Sequence, residues 1–205
     1  MYDPKKHHRK SIRLKGYDYS QAGFYFITIC CQDRTCLFGK VIHGKMVLNA
    51  AGEMIEKWYY ELENKFPDIK CHEMIVMPNH FHCIIENDGA ATVAMPVGAD
   101  LRVCPNTNTT NTPILSDAPM LGDAPILGKH VGSPLHRVMQ WFKTMTTNEY
   151  IRGVKNLGWQ PFNGKIWQRN YYEHIIRNEQ SYQRISEYII NNPSKWVEDR
   201  FHEIN

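Results

Sequence analysis

A chain of 205 residues with 42% apolar and 22% charged residues has the composition of a folded domain, long enough to bury a core without disulfides or a structural metal. The formal charge of +3 is too small to name a partner, and no apolar run approaches the roughly 18 residues of a membrane span. The opening MYDPKKHHRK lacks the apolar core of a secretory signal, and six cysteines without CxxC spacing read as reduced thiols. The expectation is a cytoplasmic protein with no membrane segment.

Residues 1–20 form a basic arm, and within residues 1–16 Lys5, Lys6, Arg9, Lys10, Arg13 and Lys15 face one acid, Asp3. Phe24 to Cys31 is a β-branched and aromatic run that predicts a buried strand. Leu37 to Val47 reads as a ribbon turning at His43-Gly44. Asn49 then caps a helix from about Gly52 to Lys65, with Met54, Ile55, Trp58, Tyr59 and Leu62 at helical spacing. Pro67-Asp68 ends it, and two strands follow, Lys70 to Met77 and His80 to Glu86, parted by Pro78-Asn79.

Residues 87–132 break the pattern with Gly, Ala, Thr, Asn and Pro and a short repeat (TPILS, DAPMLG, DAPILG), the composition of a flexible inserted loop. Ser133-Pro134 opens a helix expected to run to about Arg152, with Gly153 and Gly158 marking the exit. Ile166 to Ile176 reads as an edge strand or an extended segment that ends in apolar residues. Asn178 caps a last helix, Glu179 complements its dipole, Tyr182, Ile185 and Ile189 face the core, and Pro193 stops it. The order β, β-ribbon, α, β, β, insert, α, β, α predicts one α+β domain, an antiparallel sheet with helices packed on it, over 1–205.

Two places could carry chemistry. Side chains alternate along a strand, so His80 and His82 point the same way and can hold one metal ion through neutral ring nitrogens. The alternative is a pair of ordinary strand histidines. A histidine-triad nucleotide hydrolase needs a third histidine where this chain has Ile84, which disfavours a small metal-dependent hydrolase. On the last helix, Tyr188 and Asn192 lie four apart on one face; a phenol can be a nucleophile and an amide oxygen a hard ligand. A basic excess interleaved with Trp159, Trp167, Tyr171 and Tyr172 suits single-stranded nucleic acid, or equally a solvated surface over an aromatic core.

The segments Met77-Pro-Asn-His-Phe-His82, Trp167-Gln-Arg-Asn-Tyr-Tyr-Glu-His-Ile-Ile-Arg177 and Glu187-Tyr-Ile-Ile-Asn-Asn-Pro193, in this order, resemble the single-tyrosine HUH transposases. The branch they are most similar to is the REP-associated tyrosine transposases, which Arg9-Lys-Ser-Ile-Arg-Leu-Lys-Gly-Tyr-Asp-Tyr19 and Tyr25-Phe-Ile-Thr28 also resemble. The likeness covers nearly the whole chain except 87–132.

It implies a ferredoxin-like α+β domain that cleaves and rejoins single-stranded DNA at palindromic hairpins. Tyr188, on the C-terminal helix, would be the nucleophile, and His80, His82 and Asn192 would hold Mg2+ or Mn2+. Glu173 and His174 match the family's Glu-His pair, as groups behind the ligands or touching DNA. Lys5, Lys6, Arg9, Lys10, Arg13, Trp167, Arg169, Tyr171 and Arg177 are the expected DNA contacts. A monomer and a homodimer both stay open. A hairpin-binding protein that does not cut is the other reading, and the insert, which follows the histidine strand, is the departure that bears on it.

Overall fold

The computed structural model describes residues 16–89 and 133–202; the basic positions of the arm and nearly all of the insert lie outside the described residues. Strand β1 (Gly23–Cys30) is followed by the ribbon β2 (Gly39–Ile42) and β3 (Lys45–Leu48), which turns at His43 (φ 50) and Gly44 (φ 72). Two successive left-handed residues make the tight turn whose twist matches a hairpin. Helix α1 (Ala50–Lys65) starts at Asn49, whose side chain accepts from the Gly52 N–H at 2.9 Å, as the cap residue predicts. Strands β4 (Ile69–Met77) and β5 (His80–Asn87), helix α2 (Leu135–Leu157), strand β6 (Tyr172–Ile176) and helix α3 (Glu179–Asn191) follow.

The main sheet runs β4-β5-β1-β6 with every neighbouring pair antiparallel. With the ribbon set aside, the chain reads β-α-β-β-α-β, the ferredoxin-like topology. Alternation divides the sheet into two faces. Tyr25, Ile27 and Ile29 of β1 and Phe81, Cys83 and Ile85 of β5 meet α1 and α2 in the principal core. Phe26 and Ile84 meet Ile176, Ile185 and Ile189, so α3 covers the other face together with Trp196 and Phe201 of the tail that follows it.

The expected exit of α2 at Gly153 is incorrect: the helix continues to Leu157, and Gly158 (φ 70) caps it by returning its N–H to the Gly153 carbonyl. Gly153 sits inside the helix because the Trp159 ring folds back onto it, where a Cβ would collide with the indole. The other end of α2 is tied to the sheet. Ser133 donates through its hydroxyl to Asp68 at 2.8 Å, and Asn87 Nδ2 donates to the Ser133 carbonyl at 2.9 Å. The chain therefore leaves β5 and re-enters at α2 from one point, roughly 20 Å along the strand from His80 at 3.3 Å per residue.

Gly153→Ala is expected to cost about 1–3 kcal/mol by overpacking, read from urea unfolding. In a Trp159→Ala background the same change should be neutral or stabilising, because alanine is the better helix former by about 1 kcal/mol. Equal cost in both backgrounds would contradict the indole contact.

Candidate active site

His80 and His82 project from β5 toward α3, 0% and 1% exposed, with ring centroids 4.6 Å apart. His82 Nδ1 lies 2.8 Å from Thr28 Oγ1 on β1, and its ring stacks on Phe26. Its Nε2 is 3.3 Å from the Tyr188 hydroxyl. His80 Nδ1 lies 2.9 Å from Asn79 Oδ1, and its Nε2 is buried with no hydrogen-bond partner among the described residues.

Asn178 starts α3 by accepting from the Ser181 N–H at 2.8 Å, and the amphipathic helix lays Ile185 and Ile189 on the sheet. Tyr188, one position before Ile189, is left 42% exposed beside the histidines. Asn192, one turn on, is 2% exposed and its Oδ1 also lacks a hydrogen-bond partner. Pro193 ends the α-helix as expected, with α3 closing at Asn191. A 3-10 turn (Asn192–Glu198) follows, with the proline near its start where no N–H is needed, and this turn swings the tail under the sheet. Trp196 and Phe201 pack on the His80 ring at centroid distances of 5.9 and 4.7 Å.

That tail delivers Asp199, whose carboxylate forms with His80 and His82 a group of ligand atoms all within 4.8 Å of one another. No motif announces it; only the fold of the tail brings it there. Two imidazole nitrogens, an amide oxygen and a carboxylate can hold a divalent ion, and the orphaned His80 Nε2 and Asn192 Oδ1 are the atoms an ion would satisfy.

Burial sets the protonation of these groups. It pushes His80 down to about 3, with Arg200 adding to the effect and Asn192 opposing it. His82 is driven well below its ordinary value by burial, then by His80 and Arg200. Both rings are neutral at pH 7, the form that ligates metal. Burial also raises the Tyr188 phenol, with Asp199 adding, while Asn192 and Arg200 pull it down. A cleft of about 640 Å³ opens at Tyr188, lined by Arg184, Lys195 and Arg200 and by Glu187, Glu198 and Asp199.

The other expected contacts scatter. Lys5, Lys6, Arg9, Lys10 and Arg13 lie outside the described residues. Trp167 is 5% exposed, donates its indole N–H to Thr146 Oγ1 at 2.9 Å and packs on Phe38, while lining one side of a groove. Glu173 pairs with Ile27 and so faces the principal core, on the opposite side of the sheet from the histidines, while His174 pairs with Phe26 on their side. Alternation separates the two neighbours. Arg169 and Tyr171 line a groove of about 750 Å³ with Lys143 and Lys165. Arg177 lines a smaller one with His174 and Arg184, and Arg184 also lines the Tyr188 cleft.

Thr28 and Tyr172 complete the site's surroundings. Ile75, His82, Thr28 and Tyr172 form one cross-strand row, and Tyr172 is 46% exposed at its edge, in contact with Phe26. Ile84, where a third histidine would stand in a nucleotide hydrolase, is fully buried among Phe26, Ile185 and Ile189. Among the described residues no helix is long and apolar enough to cross a membrane.

Fold and site together define a ferredoxin-like domain with an H-x-H strand facing a tyrosine-bearing helix. No protein-family model matches the chain. It is 37% identical over 206 residues to an uncharacterized protein of Haemophilus influenzae Rd, covering 98% of this chain and 97% of that one, and the two belong to one family. Among solved structures it is similar to a REP-associated tyrosine transposase bound to a REP hairpin (18% identity, 91% of this chain and 74% of that, TM-score 0.45). It is also similar to a Deinococcus radiodurans R1 chain assigned as a transposase (12% identity, 87% and 95%, TM-score 0.40).

The histidine values carry a pH dependence. Both folded values lie below the unfolded value near 6.5, so below that pH the unfolded chain binds protons that the folded one refuses. Stability is full above about pH 6.5 and falls as pH drops toward 3, with His80 contributing about 1.4 kcal/mol per pH unit. Urea unfolding of chelator-treated protein between pH 7.5 and 5 should show this slope, flattened in His80→Gln. An unchanged slope in that variant would contradict burial of a neutral His80.

Proposed function

We propose that this protein is a single-tyrosine DNA strand transferase that cleaves and rejoins single-stranded DNA beside palindromic hairpins. The observation that carries the reading is the half-exposed Tyr188 hydroxyl, 3.3 Å from His82 Nε2 at the mouth of the His80, His82, Asn192 and Asp199 cluster. His80 Nε2, His82 Nε2, Asn192 Oδ1 and the Asp199 carboxylate are the groups that would hold a divalent ion, manganese or magnesium. Asp199 adds a second hard oxygen, this one charged, beside the Asn192 amide, which suits magnesium better than two histidines and an amide alone. When bound, the ion supplies polarisation of the scissile phosphate and offsets its charge.

The chain's own residues do the rest. Arg184, Lys195 and Arg200 line the cleft and draw in the phosphodiester. Tyr188 Oη attacks phosphorus in line and its proton leaves to water at the open mouth. The bond from phosphorus to the 3′-oxygen breaks, and that oxygen departs with a proton. The products are a 5′-phosphotyrosine and a free 3′-hydroxyl, and the linkage keeps the phosphodiester energy, so a second 3′-hydroxyl can reverse the step and join another strand. No nucleotide cofactor is required.

Tyr172 joins the expected contacts as the exposed aromatic face beside the histidines. Two strands from His82, about 10 Å away at the usual strand spacing, it suits an unpaired base next to the scissile phosphate. The basic arm and the Arg169, Tyr171 and Lys165 groove are assigned to the phosphates of the hairpin. The reaction belongs in the cytoplasm, consistent with free thiols at Cys30, Cys31, Cys36, Cys71 and Cys83.

A labelled hairpin oligonucleotide with manganese, run on a denaturing gel, tests the chemistry. Wild type should give a DNA-linked protein band, absent from Tyr188→Phe and His82→Ala. A band that survives Tyr188→Phe would assign the nucleophile to another tyrosine and contradict the mechanism; tight binding with no band would favour the non-cutting binder. Tyr172→Ala should weaken affinity about 5- to 100-fold, the effect of losing one stacked base. Alanine at Lys5, Lys6, Arg9 and Lys10 should reduce both hairpin affinity and its salt slope, measured by fluorescence anisotropy.

A further inference from the structure

Asn79, the residue before the first histidine, is 1% exposed and uses both ends of its amide. Nδ2 donates to the Arg34 carbonyl at 3.0 Å and to the Phe201 carbonyl at 2.8 Å. Those two donations decide which end of the amide is nitrogen, because an oxygen there would face two carbonyl oxygens. Oδ1 is then the atom 2.9 Å from His80 Nδ1. An amide oxygen only accepts, so Nδ1 must carry a hydrogen. A neutral imidazole has a single N–H, which leaves Nε2 as a bare lone pair. That atom is the one buried without a partner.

We propose that Asn79 is the positioning residue of the metal site: it holds His80 in the Nδ1–H tautomer and so turns the Nε2 lone pair toward the ion. This rests on the ion reading given above. Thr28 cannot do the same for His82, since a hydroxyl both donates and accepts and is compatible with either tautomer. Free histidine favours the Nε2–H form, so His80 is held against its own preference. The same amide has a second effect. Its bond to the Phe201 carbonyl ties down the segment that carries Asp199 and Arg200, and Arg34 adds a bond from Nη1 to the Arg200 carbonyl at 2.9 Å. One side chain thus orients a nitrogen ligand and anchors the strand of chain that brings in the carboxylate, the arrangement in which groups behind a ligand set its geometry.

The test is a long-range 1H–15N correlation spectrum of the histidine rings in full-length, chelator-treated protein above pH 7. His80 should show a protonated Nδ1 and an unprotonated Nε2; an Nε2–H form in wild type would overturn the proposal without any variant being made. In Asn79→Leu, His80 should shift to the Nε2–H form, and manganese affinity read by electron paramagnetic resonance should fall about 10- to 100-fold. Asn79→Asp, which keeps the acceptor but not the donors, should keep the tautomer while still losing affinity through the released tail. A folded Asn79→Leu that binds manganese like wild type would overturn the positioning role. Wild type with the Nδ1–H tautomer and no manganese binding would overturn the ion reading instead, and leave Asn79's hold on the tautomer supported.

Discussion

Strand β5 is buried on both faces, and everything else in the site depends on how that burial is divided. Phe81, Cys83 and Ile85 enter an apolar core and make the strand immovable. The alternate residues His80 and His82 must then lie under α3, where water cannot satisfy their ring nitrogens. A buried imidazole lone pair is costly unless something occupies it. Thr28 and Asn79 satisfy the inner nitrogens, and the outer ones converge on one point. A core with apolar residues at both positions would be simpler, so the polar pair reads as a cost retained for chemistry.

Helix α3 and the tail after it complete this arrangement from two directions. The helix is fastened near its start by Tyr182, which donates to Glu73 at 2.8 Å on β4, and along its length by Ile185 and Ile189. Tyr188 therefore sits on a rigid element, half exposed, instead of on a mobile loop. Beyond it, the 3-10 turn through Pro193 returns the chain beneath His80, so that Trp196 and Phe201 seal the histidine from below while Asp199 reaches it from the side. The cleft at Tyr188 carries both signs of charge, Arg184, Lys195 and Arg200 beside Glu187, Glu198 and Asp199.

What the sequence made legible was local. The His43-Gly44 turn, the Asn49 and Asn178 caps and the two-residue spacing of His80 and His82 are each decided by a few neighbouring residues, and each lies where that chemistry requires. The four-residue spacing of Tyr188 and Asn192 likewise placed both beside the histidines. The features that escaped are set by distant contacts. Gly153 looked like a helix exit because its partner, the Trp159 ring, arrives only after the chain turns back. Trp167 is held by Thr146, across the core on α2, which accepts its N–H, a contact that no local spacing announces. Asp199 and Asn79 carry no spacing signal, because their roles depend on a tail that packs under a strand more than a hundred positions earlier. Glu173 and His174 show the limit from the other side: adjacency in a strand sends two residues to opposite faces.

The claim at the centre of this account is that the outer nitrogens of His80 and His82 share one divalent ion in front of Tyr188. Anomalous diffraction from crystals soaked in manganese tests it most directly. The account predicts a single strong peak in contact with both Nε2 atoms and with an oxygen of Asn192 or Asp199. A peak at the His72–Glu86 pair, beside Tyr182 near the start of α3, or no peak at the histidines at saturating manganese, would contradict it.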